Sequence, residues 1–242
     1  MQSRATKVVN IIDRIISRII IIFFAAILCI CLYAVYDVVS LRNETNVIAG
    51  ASKIIENTPD DERIAELRKV NSDIIAWITI DNADIDFPIT QTTNNNFYLN
   101  HDYKKEYSIA GNIFADYRSD LLADDYAVIY GHNMNGDQMF GALNKFEDAG
   151  YFSGHSTGRI YLSDGSQHEL SILNFAIIMN DSEYAYNIDT NANNTNAEII
   201  SYIGSLSINK NVPDKYPNTL LLLSTCYKHS RQRAVLLVGY DR

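Results

Sequence analysis

The body of this chain is nearly devoid of cysteine. Of three cysteines in 242 residues, Cys29 and Cys31 lie in one apolar N-terminal segment, and only Cys226 lies beyond it. The body therefore cannot close an internal disulfide. It also has no Cys-x-x-Cys pair or His/Cys cluster at zinc spacing. Basic residues are scarce there as well. Residues 1–36 hold Arg4, Lys7, Arg14, Arg18 and one acid, Asp13. Taking these from totals of 20 basic and 29 acidic residues leaves 16 and 28, a net charge of −12. A body this acidic is unsuited to neutralising phosphates, which argues against a nucleic-acid partner. Internal repeats are absent, as is any interdomain linker after residue 70. Asp81, Asp84 and Asp86 lack EF-hand spacing and its closing Glu, so they read as turn residues rather than a calcium loop. No cofactor is implied.

Long uncharged hydrophobic runs are absent but for one. Residues 19–36 carry no charge, and 18 helical residues span about 27 Å against a bilayer core of about 30 Å. Ile15 and Ile16 lengthen the run, and Arg18 can snorkel. The four basic residues precede the run and Asp37 follows it. The positive-inside rule then places the N-terminus in the cytoplasm and the body outside. A cleaved signal peptide or a buried helix are the alternatives. The run is long for a signal-peptide core and has no evident small-x-small cleavage site. The expected organisation is a cytoplasmic N-terminus over 1–14, a transmembrane anchor over 15–36, helices or a stalk over 37–70, and a catalytic domain over 71–242.

Residues 40–70 have loose helical spacing (Ile48, Ile54, Ile55, Ile64, Leu67, Val70), broken by Pro59. From Asp73 the pattern becomes that of short strands. Ile74–Ile80 and Ile85–Ile89 form a hairpin across Asp81–Asp84. Short strands follow near Gly111–Asp116 and Asp125–Tyr130. Phe140–Phe152 has helix-like spacing. Arg159–Leu162 and Glu169–Met179 pair across Asp164-Gly165, Asn187–Asn196 is a polar loop, and Ala197–Leu206 fits one amphipathic helix. The last two strands are Leu220–Leu223 and Ala234–Val238. Many short strands with few long helices predict a mainly β domain, a closed or nearly closed barrel.

Candidate chemistry centres on Cys226. It ends an apolar run of strand length, beside a polar turn, in a domain facing an oxidising compartment. A free cysteine is most often a small buried hydrophobe, but an unpaired thiol there is a liability unless used. A thiol of ordinary pKa, about 8.5, is only about 3% thiolate at pH 7, so a nucleophile needs a neighbouring imidazole or cation. His132 follows the strand ending in Tyr130 and Gly131. His101, His155, His168 and His229 sit in polar surroundings and read as solvated. Arg233 leads the last apolar strand and is the candidate cation, with Arg231 its competitor.

These residues also carry a family resemblance. "TLLLLSTC", ending at Cys226, and "RAVLLV" from Arg233 resemble the sortase signature, and "VIYGHNM" (Val128 to Met134) resembles its histidine motif. "NSDIIAWITI", "DFPITQ", "FYLNHD", "GNIFAD" and "MFGAL" are similar to class B sortases. The resemblance runs from about residue 40 to the end. It implies a closed eight-stranded β-barrel with N-terminal helices and an extra helix before the cysteine strand, preceded by one transmembrane helix. It also implies a single-pass membrane enzyme of a Gram-positive cell, with its catalytic domain extracellular. Such an enzyme cleaves a C-terminal sorting signal of the Pro-x-Thr-Gly or Pro-x-Thr-Asn type after Thr, through a thioacyl intermediate. It then joins the protein to an amine of a cell-wall peptide or lipid-linked precursor.

The same resemblance makes Cys226 the nucleophile, His132 the general acid and base, and Arg233 the group that stabilises oxyanion or substrate. Ser224, Thr225, Tyr227 (through its backbone N–H), Tyr130, Asn95, Leu99 and Tyr186 are assigned to substrate binding. No carboxylate is assigned, because Tyr227, Lys228 and His229 follow the cysteine where some class B members have an acid. Two other readings stand beside this one: an extracytoplasmic cysteine peptidase that hydrolyses, and a non-catalytic wall-associated β-domain with Cys226 as core.

Overall fold

A computed structural model describes residues 4–188, 195–215, 217–228 and 231–242. His229 and the middle of the asparagine-rich loop, 189–194, lie outside the described residues. Helix α1 is Arg4–Glu56. The chain divides into two units, Met1–Asn46 and Val47–Arg242. In the first unit, Ile12–Tyr36 is one helix long and apolar enough to cross a membrane, with a mean hydropathy of 2.9 and 0% buried.

Among the described residues the second unit is built on nine strands: β1 (Ile74–Ile80), β2 (Ile85–Thr90), β3 (Ile113–Ala115), β4 (Tyr126–Tyr130), β5 (Thr157–Leu162), β6 (Gln167–Met179), β7 (Ser207–Lys210), β8 (Thr219–Tyr227) and β9 (Gln232–Tyr240). Eight of them close into a barrel in the order β5-β1-β2-β3-β4-β8-β9-β6, with β6 pairing back to β5 and β7 added on the free side of β6. Closure satisfies the main-chain groups that an open sheet would leave at its edges. The pairs β2–β3 and β4–β8 are parallel, and the rest of the ring is antiparallel. The two expected hairpins form. Asn82 takes a positive φ of 60° in the first turn, and Gly165 takes 87° in the second, residue types that tolerate the left-handed region.

Strand alternation divides the core. Ile78, Ile89, Ile129, Leu221, Leu223, Leu236 and Phe175 point into the barrel. Val128, Leu220, Leu222, Val235 and Leu237 point outward, beneath the helix Asn196–Leu206, here α5. Strand β8 is thus covered on both faces. That is why Leu220–Leu223 reads as an unbroken apolar run rather than an alternation. Helix α5 is fixed at its start by a capping box between Thr195 and Glu198. A third cluster packs Ala51, Ile55, Ile64 and Leu67 onto Trp77 and Tyr161, outside β1 and β5. Ile64 and Leu67 belong to α2 (Arg63–Val70), which restarts after Pro59.

Three local expectations differ. Phe140–Glu147 is a 3-10 helix, and a separate short helix, α3 (Ala149–Gly154), begins at the Asp148 cap. Phe140, Ala142, Leu143 and Phe146 are all buried, so packing on several sides overrides the α-helical spacing. His168 lies on strand β6 rather than in a loop, and its Nδ1 meets the Asp241 carbonyl. His101 and His155 are half-buried, stacked on Phe97 and Tyr151, and bonded to those residues' carbonyls. Strand β7 and the one-turn helix α4 (Glu183–Tyr186) were not expected. Each is shorter than the pattern that periodicity needs.

Candidate active site

Register assembles the site. In β8–β9, Cys226 stands directly opposite Arg233. In β4–β8, Tyr130 stands opposite Ser224, and the Gly131 amide donates to the Ser224 carbonyl at 3.2 Å. Extending that parallel register by two residues brings His132 level with Cys226. Parity agrees: Val128, Leu222 and Val235 face outward from the barrel, so His132, Cys226 and Arg233 do too. Adjacent strands lie about 4.8 Å apart. Arg233 on β9, Cys226 on β8 and His132 two residues past the end of β4 therefore form one row, with the thiol in the middle.

The outer face is covered by α5 at Leu222 and open at Cys226, which is exposed. This excludes the reading of Cys226 as a buried core residue. An open pocket of about 230 Å³ lies over the row. Its walls include Asn95, Leu99, Tyr130, His132, Ser224, Thr225, Cys226 and Arg233, together with Phe114 and Gly131. Eight of the ten candidate residues thus meet at one pocket. Tyr227 does not line it. Its side chain turns into the barrel, where its hydroxyl donates to Glu147 at 2.9 Å. Its amide shares a trans peptide with the Cys226 carbonyl, which points toward β4, so the amide faces β9, opposite Gln232. Tyr186 sits just behind the wall, sharing a 2.8 Å hydrogen bond with the Ser224 hydroxyl and stacking on Tyr130. Arg231 precedes β9 and is exposed, whereas Arg233 lines the pocket.

His132 is held by a main-chain carbonyl. Its Nε2 lies 2.8 Å from Leu99 O. A carbonyl only accepts, so Nε2 carries the proton and Nδ1 is the nitrogen left to exchange one with a reacting group. Gly131 permits this placement. A Cβ there would stand 2.4 Å from the Ile113 side chain and 2.8 Å from the Phe140 ring.

A buried carboxylate that sequence reasoning passed over supports the pocket. Asp116 is wholly buried. It accepts from Asn95 Nδ2 at 2.9 Å, from the Tyr130 hydroxyl at 3.1 Å, and from Arg118 Nε and Nη2 at 2.9 and 3.0 Å. Arg118 also donates to the Tyr186 carbonyl. Burial pushes the Asp116 pKa up, but the Arg118 and Asn95 hydrogen bonds outweigh it and hold the carboxyl below its ordinary value. Burial and the neighbouring Asp116 raise the Tyr130 pKa. Burial pushes the Tyr186 pKa up to about 12. Both tyrosines are therefore neutral donors at physiological pH and not bases. Asp116 sat inside the GNIFAD stretch and Asn133 inside VIYGHNM, but nothing in local spacing set either apart. Among the described residues, no group of three or more His, Cys, Asp or Glu could hold a metal ion.

Comparison with known proteins gives the family and agrees with the barrel fold. The Sortase domain family matches residues 78–238. Sortase B of Listeria monocytogenes is 34% identical over 169 residues, covering 68% of this chain and 67% of that protein. Among solved structures, sortase B from Bacillus anthracis in complex with AAEK1 superposes with a TM-score of 0.71 at 25% identity, covering 84% of this chain and 99% of that one. A Streptococcus pyogenes class B sortase involved in pilus biogenesis superposes with a TM-score of 0.65 at 28% identity, covering 72% and 96%.

Proposed function

The chain belongs to the sortase family as a cysteine transpeptidase of the sortase B type, and from that premise we propose that it cleaves a Pro-x-Thr-Gly or Pro-x-Thr-Asn sorting signal and transfers the threonyl end to a cell-wall amine. The observation that carries this reading is that His132, Cys226 and Arg233 line one open pocket, with the thiol exposed.

In the proposed reaction the Cys226 thiol gives its proton to His132 Nδ1, and the thiolate attacks the threonine carbonyl carbon. The carbonyl electron pair moves to oxygen. Arg233, one strand away, donates to that oxyanion, where charge exists only in the transition state. As the C–N bond breaks, His132 passes a proton to the leaving amine, and a thioester remains on Cys226. The acceptor amine then attacks the thioester, loses its proton to His132, and the thiolate departs. Asn95, Leu99, Tyr130, Ser224 and Thr225 would hold the peptide, with Tyr186 acting through Ser224. Residues 15–36 would anchor the enzyme, with the N-terminus in the cytoplasm and the catalytic domain outside. The apolar Ile12–Tyr36 span is of sufficient length.

The test uses the full chain in mild detergent with fluorogenic peptides carrying either signal, with and without an amine acceptor. The expected result is cleavage after threonine and a threonyl adduct on Cys226 by intact mass. Cys226→Ala should lose both while melting at an unchanged temperature. A variant that still cleaves, or a wild type that cleaves neither signal, would refute the proposal.

A further inference from the structure

Strand β4 ends at Tyr130, two residues before the level of the nucleophile. The last main-chain bond of the parallel β4–β8 ladder runs from Gly131 N to Ser224 O. The next one donated from the β4 side would run from the main-chain N–H of residue 133 to Cys226 O. The side chain of Asn133 stands in its place, with Nδ2 donating to Cys226 O at 2.6 Å. The orientation of this amide is determined: Cys226 O only accepts, so Nδ2 must face it and Oδ1 must face away. That Oδ1 accepts from Asn144 Nδ2 at 3.1 Å, and the same Nδ2 reaches Gly141 O at 3.1 Å. The segment is pinned from the other side as well. Phe140 N donates to His132 O at 3.0 Å, and Asn133 forms an isolated bridge with Met139. A Cβ on Gly141 would lie 2.4 Å from Met134 O and 3.3 Å from Asn133 Oδ1, so glycine there lets the two loops close.

We infer that Asn133, locked by Asn144, is a positioning residue that extends the β4–β8 ladder past the end of its strand and holds the Cys226 main chain level with the imidazole of His132. The inference rests on the proposed roles of Cys226 and His132. Asn133 acts on both at once. It is the residue next to His132, and it grips the carbonyl of the thiol-bearing residue across 93 positions of sequence. The peptide unit is planar and trans, so fixing Cys226 O also fixes the direction of the Tyr227 amide. Without the side-chain bond, the last described bond from the β4 segment to β8 is the one at Ser224, and the two reacting side chains can separate. Reaction geometry is steep in this coordinate, and a misplacement of about 1 Å can cost about a hundredfold in rate.

Asn133→Ala, Asn133→Asp and Asn144→Ala in the full chain in detergent test this. With peptide substrate, Asn133→Ala should lower kcat by about 10- to 100-fold with KM within about twofold. Asn144→Ala should give a smaller loss in the same sense. In Asn133→Asp an ionised carboxylate opposes the carbonyl, whereas the protonated form donates to it. The ratio of kcat for Asn133→Asp to that for Asn133→Ala should therefore rise as pH falls from 8 to 5. Hydrogen exchange needs no substrate, and the amides of Gly131 and Phe140 should exchange faster in Asn133→Ala. A kcat within twofold of wild type in Asn133→Ala, a change confined to KM, or unaltered exchange at both amides would overturn the inference. Should Asn133→Ala not fold, the decision passes to Asn133→Asp and Asn144→Ala: a pH-dependent recovery of kcat in the former and the smaller kcat loss in the latter support it, and their absence overturns it. If the wild type cleaves no peptide, the sorting reaction fails on its own, and the exchange measurement still decides whether Asn133 holds the ladder.

Discussion

Replacing Asp116 should separate the support of the pocket from its chemistry. Its carboxylate is wholly buried and accepts from two pocket-wall residues, Asn95 and Tyr130, and from the Arg118 guanidinium. Asp116→Ala leaves the half-buried Tyr130 hydroxyl without its acceptor, which costs toward the low end of about 1–3 kcal/mol, and removes charge-assisted bonds worth about 1.5–3 kcal/mol each. The Arg118 side chain is 29% exposed and can turn to water, so the total falls near the low end of the 3–5 kcal/mol typical of breaking a buried pair, about 3 kcal/mol. At about 2–4 °C per kcal/mol for a unit of this size, melting should fall by about 6–12 °C. Fluorescence of Trp77, the only tryptophan and a buried one, reports the transition from the catalytic unit.

The same change has a pH signature. The folded carboxyl lies below its ordinary value, so its contribution is fully present above the unfolded carboxylate pKa of about 3.9 and is lost as pH falls through the folded value. The gap between wild type and Asp116→Asn should hold from pH 8 to 5 and close below about pH 4. Peptide assays should show a raised KM, because Asn95 and Tyr130 lose their anchor, with a smaller change in kcat. An Asp116→Ala variant that melts within 2 °C of wild type, or a stability gap that does not narrow in acid, would refute this reasoning.

Arg233→Ala should lower turnover by about 10²–10³-fold, the size of a lost oxyanion donor, whereas Arg231→Ala should stay within about twofold; the reverse order in steady-state assays would place the working cation before β9. Leu222→Ala, beneath α5 and fully buried, should destabilise the catalytic unit by about 2–5 kcal/mol in denaturant melts without changing KM, and a cost under 1 kcal/mol would mean that α5 does not seal that face.

Much of this molecule was legible in its sequence because the signals were local. The hairpins showed in β-branched runs broken by Asp81–Asp84 and Asp164-Gly165. The cysteine strand showed as four consecutive leucines, since both of its faces are covered. The preference for Arg233 over Arg231 followed from abutment to the apolar strand, and the register places Arg233 opposite Cys226. What stayed hidden was non-local. Phe140–Glu147 has helical spacing but packs as a 3-10 helix, and β7 and α4 are too short to leave a period. Asp116 and Asn133 look like ordinary loop polar residues until their partners, 14 and 93 positions away, are known.

The sequence by itself determined the eight barrel strands, the both-sided burial of β8, the single apolar span, and the pairing of one cysteine with one histidine motif and one arginine. These depend on side-chain type and on periods of a few residues, which the chain carries wherever it folds. Only the tertiary structure decided that β4 lies parallel to β8 and β9 antiparallel to it, in the registers that bring His132, Cys226 and Arg233 into one row. It alone turned the Tyr227 side chain inward, buried Asp116 behind the wall, and set the Asn133 amide against the Cys226 carbonyl. Register is chosen by how whole faces pack and by which main-chain groups find partners, and no stretch of sequence contains both sides of that contact.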